Sequence, residues 1–306
     1  MIVKVLGSGA GGGFPQWNCN TRLSRMAWDS DERVSRRTQS SIAASSGESR
    51  RWVIVNASPD LRQQIQATPE LQPHRDGPKR NSPIKAVVLT NGDIDHIAGL
   101  LTLRERQPFR IYATARVLSI LAANSVFGVL ASDVVERVEL PLNRPIEIAD
   151  TGVTIEAFPV PGKIALYLED TSKGASFGTE TGDTIGLKVG AAGSKAAFYI
   201  PGCAKADEDV LRRLHGAACL LFDGTVFNDT ELLDLGVIEK TGQRMGHVSI
   251  AGDDGSLHAF DGADIKRKIY IHINTTNPIL ERGSREEAIV KEAGWEVAFD
   301  GMSINL

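Results

Sequence analysis

Between Asn91 and His96 the chain reads N-G-D-I-D-H, which places two carboxylates, a carboxamide and an imidazole where the apolar run ending at Thr90 gives way to a helical pattern from Ile97. Carboxylate oxygen and imidazole nitrogen together suit iron, zinc or manganese. A loop between a strand and a helix is also where a scaffold commonly holds such groups. The same residues read equally as a helix start, with Asp93 or Asp95 accepting hydrogen bonds from free first-turn amides and His96 filling space. Two further histidines stand in strand-linked polar settings, His247 in GQRMGHVSIAG and His272 in KIYIHINTTNP. His272 alternates with Tyr270 and Asn274, so on a strand it points to a polar face while Ile271 and Ile273 point to a core. A strand histidine is also easily satisfied by local hydrogen bonds. His74, His215 and His258 lie in loop or helix-end contexts and carry no such signal.

A second motif is VKVLGSGAGGG, in which Gly7, Gly9 and Gly12 satisfy the G-x-G-x-x-G pattern after a strand. A dinucleotide site needs a helix to start at those glycines so that its amides meet the pyrophosphate. Here FPQWNCN follows, and Pro15, Asn18 and Asn20 oppose a helix. The better reading is a loop whose bare backbone approaches an active site.

Positioning these groups requires many short strands and a few helices. Strand patterns cover 2–6, 41–44, 52–55, 86–89, 110–113, 153–158, 184–189, 196–200, 219–222, 268–273 and 296–299. Helical patterns cover 59–67, 97–106, 115–123, 208–214 and 285–293. Strands come in groups between helices in both halves, which predicts two mixed sheets packed face to face with helices outside, an α/β sandwich in a single domain over 1–306. The segment 72–83 reads as a polar surface loop. With 306 residues, 42% apolar and 24% charged, the chain can bury a full core. A formal charge of −4 offers no basic field for nucleic acid or anionic lipid. No apolar run reaches membrane-spanning length and the N-terminus enters a strand directly, so a cytoplasmic location is the expectation. Cys19, Cys203 and Cys219 are too few and scattered for a disulfide framework.

At the N-G-D-I-D-H loop the sequence resembles the metallo-β-lactamase superfamily, which carries H-x-H-x-D-H in the same register at a strand end. FYIPGC, LLFDGT, MGH and IHIN stand where that superfamily has its later site elements. Within it, the chain is similar end to end to the branch that serves synthesis of the coenzyme pyrroloquinoline quinone (PQQ). The stretches carrying that likeness are GSGAGGGFPQWNCN, RTQSSIA, NASPDLRQQIQ, IDHIAGLLTLRE, TGQRMGH, IHINTTNPIL and VAFDGMSINL. The resemblance implies the αββα sandwich of that superfamily.

Departures from the dizinc pattern narrow the expected chemistry. The first two histidine positions hold Asn91 and Asp93, the position of the bridging aspartate holds Cys203, and 159–163 lacks a histidine. Asp95, His96 and His272 remain in register, a set of two imidazoles and one carboxylate suited to one redox metal with open positions, Fe(II) above all. A hydrolytic pair would need two furnished ions. The branch is implied to hydroxylate, with iron and O2, the tyrosine ring of a Glu-Tyr precursor derived from a peptide. On that reading Asp93 is an auxiliary ligand or holds metal-bound water, His247 supports the ligands or carries protons, and Asp223 orients a histidine. Asn91, Asn274 and Thr275 line the pocket. Arg37, Gln39 and Ser40 hold substrate carboxylates, although Arg37 reads equally as a loop-fixing residue. Relatives of this branch carry W-N-C-x-C-x-x-C, a structural-zinc pattern; here Cys19, Thr21 and Ser24 occupy those positions, and one thiol cannot close a zinc site. The expected partner is a small peptide or quinone precursor, without nucleic acid or membrane, and with a homodimer left open. A metal-dependent hydrolase and a non-catalytic PQQ carrier are the alternative functions.

Overall fold

The computed structural model describes residues 1–47, 50–176 and 178–306. Two seven-stranded sheets face each other. The first contains β1 (Ile2–Gly7), β2 (Ser41–Ser45), β3 (Trp52–Val55), β4 (Ile84–Val88), β5 (Phe109–Ala113), β6 (Val135–Glu139) and β14 (Ser303–Asn305), in the order β14-β1-β2-β3-β4-β5-β6. The second contains β7 (Pro145–Ile148), β8 (Val153–Pro159), β9 (Ile185–Ala191), β10 (Ala197–Ile200), β11 (Cys219–Asp223), β12 (Lys268–Ile271) and β13 (Trp295–Val297), in the order β13-β12-β11-β10-β9-β8-β7. Each sheet is half antiparallel and half parallel: β3 to β6 run parallel in one, β10 to β13 in the other. The chain thus belongs to the α/β class, with the metallo-β-lactamase arrangement that the resemblance implied.

The parallel strands are apolar on both faces, as strands covered on both sides must be. In β4, Ala86 and Val88 enter the core between the sheets, while Val87 and Leu89 face the helix Ala115–Ala123 through Val117 and Leu121. In β11, Cys219 and Leu221 face inward and Leu220 and Phe222 outward; in β12, Ile269 and Ile271 face inward and Tyr270 outward. Tyr270 therefore lies on an apolar face, stacked on Trp295 at 4.0 Å between ring centroids, and not on the polar face that alternation predicted.

Three strands were not legible. β6 (VERVE) and β7 (PIEI) are edge strands carrying charge and proline, the composition that protects an open edge and obscures the strand pattern; β14 has three residues. The predicted helix over 97–106 begins earlier, at Ile94–Ile97, and continues as a 3-10 turn, Ala98–Leu103. Gly99 sits at the tightening, in close backbone contact. Its amide donates to the Ala57 carbonyl, and a Cβ there would stand 2.0 Å from the Ser58 carbonyl oxygen. The helix Arg22–Trp28 follows the glycine-rich loop, which itself forms no helix: Gly9 N donates to Thr38 O and Ala10 N to Ile273 O. Among the described residues no helix is long and apolar enough to cross a membrane.

Candidate metal centre

The parallel halves of the two sheets bring their C-terminal strand ends to one edge. Asp95 and His96 follow β4, Asp223 ends β11, and His272 follows β12. His272 leaves its strand with φ 60°, a left-handed conformation that costs a non-glycine residue about 1 kcal/mol or more. That turn points the imidazole across to the other sheet. Asp95 Oδ2 lies 3.2 Å from His272 Nε2 and 3.6 Å from His96 Nε2, and the two rings meet edge to face with centroids 5.5 Å apart. Both histidines are buried.

Hydrogen bonds determine which ring nitrogens face the centre, and the tautomers follow from those partners. His96 Nδ1 donates to Asn91 Oδ1 at 2.7 Å, so Nε2 carries the lone pair. That nitrogen is buried and has no hydrogen-bond partner. On the other side Thr225 Oγ1 donates to Asp223 Oδ1 at 2.7 Å and accepts from His272 Nδ1 at 2.8 Å, which turns His272 Nε2 toward Asp95. Burial lowers the pKa of His96 against the opposing charge of Asp95. Burial also resists ionisation of Asp95, yet the neighbouring His96 and the His272 hydrogen bond hold its carboxyl well below the usual range. His272 is likewise opposed by burial, but its bond to Asp95 and the charges of Asp95, Asp223 and Asp93 raise its pKa. A lone pair without a partner, an ionised carboxylate and a second imidazole converging within 4.8 Å call for a cation, and these donor types fit a divalent metal.

A second group, Asp223, His247 and His272, also lies within 4.8 Å. Asp223 is already saturated. Its Oδ1 accepts from Thr225 N and Thr225 Oγ1, and its Oδ2 from Cys203 N and His247 Nδ1. It acts as a buried anchor that orients two imidazoles. His247 stacks on His272 at 5.1 Å and stays partly open, with Nε2 as its acceptor.

The beta-lactamase superfamily domain matches residues 51–273. "Coenzyme PQQ synthesis protein B" of Methylorubrum extorquens is 50% identical over 306 residues, covering 100% of both chains. The protein of the same name from Xanthomonas campestris pv. campestris is also 50% identical over 306 residues, with the same full coverage. The crystal structure of Zn(2+)-bound PqqB from Methylobacterium extorquens superposes with a TM-score of 0.94 at 49% identity, covering 100% of both chains. The chain belongs to the coenzyme PQQ synthesis protein B family. A diphosphatase of the PhnP family, at 21% identity and TM-score 0.67 over 100% of this chain and 97% of its own, shares the fold.

Within this PqqB-family chain the remaining predicted residues take other places. Asp93 is outside the converging set: its carbonyl accepts from His96 N and Ile97 N as the helix begins, and its Oδ1 accepts from Leu166 N at 3.3 Å. A helix does start here, but neither Asp93 nor Asp95 caps it through its side chain, and Asp95 and His96 face the centre. Asn91 orients His96 through its side-chain oxygen. Asn274 folds onto Thr276, and Thr275 is buried with its hydroxyl on Ser24 at 2.9 Å.

The carboxylate-holding role expected of Arg37, Gln39 and Ser40 is not what their contacts serve. The Arg37 guanidinium donates to Ser8 Oγ and the Ala298 carbonyl, and burial draws its pKa down to about 10 against the charge of Asp300. Gln39 ties Gly12 N to Asp60, and Ser40 bonds the buried Tyr199 hydroxyl at 2.9 Å. Arg37 and Gln39 brace the loop that lays Gly11 against Asp95, where a Cβ on Gly11 would stand 3.6 Å from the Asp95 carboxyl carbon, while Ser40 ties the start of β2 to β10. Cys19 Sγ lies 3.3 Å from the Thr21 hydroxyl, in a cluster that continues through Ser24 to Thr275. Sequence reasoning missed Thr225, Asn56 and Thr90; Asn56, at φ 63°, holds Thr90 through three hydrogen bonds behind His96.

Proposed function

We propose that the protein serves PQQ synthesis as an iron-dependent, O2-using hydroxylase of the tyrosine ring in a Glu-Tyr precursor. The observation carrying this reading is that Asp95, His96 and His272 present one set of donors while Asp223 already accepts four hydrogen bonds. Among the described residues the second group, Asp223, His247 and His272, shares His272 with the first, which disfavours a hydrolytic metal pair. Fe(II) bound to those three residues would supply the electron chemistry that dioxygen needs to react with an aromatic ring.

The chain's own residues do the rest. Asn91 holds His96 Nδ1, and the Asp223–Thr225 pair holds His272 Nδ1, so both rings keep the orientation that ligation requires. His247 donates Nδ1–H to Asp223 at 2.7 Å and keeps Nε2 as the acceptor for a proton leaving the substrate. Gly11 lets the glycine loop close over Asp95 and limit access of water.

The test is anaerobic reconstitution with Fe(II), addition of Glu-Tyr and oxygen, and mass analysis of the dipeptide. Incorporated oxygen that disappears in His96→Ala and His272→Ala supports hydroxylation. Tight binding of PQQ with no oxygen incorporated in the loaded protein would transfer the site to a carrier.

A further inference from the structure

One charge cluster at the rim of the cleft plays no part in holding the metal. The segment after β8 crosses the ligand-bearing loop, where Leu166 N donates to Asp93 Oδ1 and the Tyr167 hydroxyl donates to the Gly92 carbonyl. The same segment carries Lys163 and Glu169 to the turn that precedes His247, beside Gly246 and Arg244. Lys163 packs its methylenes over Gly246, where a Cβ would stand 2.9 Å from Lys163 Cγ. Arg244 donates to both oxygens of Glu169, at 2.9 and 2.8 Å, and so satisfies that carboxylate. Lys163 Nζ and Lys240 Nζ stand 3.9 Å from its two oxygens, beyond hydrogen-bond reach.

The balance of charge and exposure gives this cluster its meaning. Three cations face one anion, in a chain whose formal net charge is −4. The lysine side chains are 19% and 29% exposed, so their stems are largely packed while neither ammonium group is sealed from solvent. Among the described residues neither has a hydrogen-bond acceptor. An ammonium group with no acceptor of its own, in a cluster with surplus positive charge, is available to an arriving anion. In the segment that carries Lys163, Leu166 and Tyr167 expose apolar surface, and exposed Ile94 follows the Asp93 that Leu166 N meets. A positive pair next to an apolar wall matches an aromatic body bearing carboxylates.

We infer that Lys163 and Lys240 form the carboxylate-docking subsite for an aromatic dicarboxylate, with Ile94, Leu166 and Tyr167 bordering its ring. The aromatic identity rests on the hydroxylase reading; the selection for carboxylates rests on the cluster itself. Arg37, buried and engaged with Ser8 and Ala298, leaves this task to the lysines.

The experiment is calorimetry of the metal-loaded full chain under anaerobic conditions, with Glu-Tyr and its diamide as probes. Lys163→Gln and Lys240→Gln should each weaken Glu-Tyr binding about fivefold, the scale of a partly exposed ion pair, and leave diamide binding unchanged. The charge-keeping pair Lys163→Arg and Lys240→Arg should retain the parent's affinity for Glu-Tyr. Unchanged Glu-Tyr binding in the double glutamine variant, or an equal loss for dipeptide and diamide, would overturn the subsite. No turnover is needed, so a chain that binds Glu-Tyr through the lysines and never oxygenates it keeps the subsite and loses the hydroxylase reading.

Discussion

The hydroxyl of Thr225 stands between Asp223 and His272 and settles which imidazole nitrogen faces the cleft. Thr225→Val keeps the shape and removes that bridge. Metal affinity, read by competition with a chelator, should fall about tenfold to a hundredfold, as for other groups that orient a ligand. The metal-free thermal midpoint should move little by comparison. His96 and His272 were legible because imidazoles at strand ends are chemically conspicuous, and Asp95 followed from its register with the superfamily motif. Thr225 was not, since a threonine after D-G in LLFDGT announces nothing until the fold places it beside a histidine 47 residues away. Asn91 was read as pocket lining for the same reason: whether its carbonyl oxygen meets substrate or His96 depends on a side-chain direction that no pattern encodes.

Elements hold these residues by close backbone contact and by buried polar bonds. Gly99→Ala would drive a methyl into the Ser58 carbonyl and push the turn carrying His96 off Ala57. The expected loss is about 3 kcal/mol in urea unfolding, in the range for overpacking, together with weaker metal binding. Glu231, at the start of the helix Glu231–Asp234, accepts from Phe227 N and from the Thr276 hydroxyl, tying the loop after β11 to the loop after β12. Burial raises its pKa to about 7 despite those bonds. The folded state therefore holds the proton more tightly than the unfolded chain. Stability should decline as pH rises from the ordinary carboxyl range through about 7, and level off above it. Glu231→Gln mimics the protonated form, so its unfolding midpoint should match the parent near pH 5 and exceed it near pH 8. The edge strands β6 and β7 escaped the sequence reading because charge and proline, which guard an edge against pairing, also erase the alternation by which a strand is recognised.

At the scale of the molecule, the candidate ligands come from both sheets: Asp95 and His96 from the end of β4, His272 from the end of β12. The core between the sheets joins the same two layers through residues such as Val88, Leu187 and Ile271. An ion held by all three ligands staples one sheet to the other and binds the folded state alone. At a hundredfold excess over its dissociation constant it adds about 2.7 kcal/mol of stability. Thermal unfolding should shift upward by several degrees on loading and return when a chelator strips the ion. His272→Ala should abolish the shift.

The order of short apolar strands, the helices after them and the kinds of ligand at two strand ends are properties of the local chain, because period-two burial and strand-end chemistry are written residue by residue. Which lone pairs stay bare was decided in three dimensions. The αββα sandwich sets His272 against Asp95 across 177 positions of sequence, turns Asp93 aside and spends Arg37 on bracing a loop. A side chain's role here depends on the partners its atoms reach, and those partners come from the other sheet.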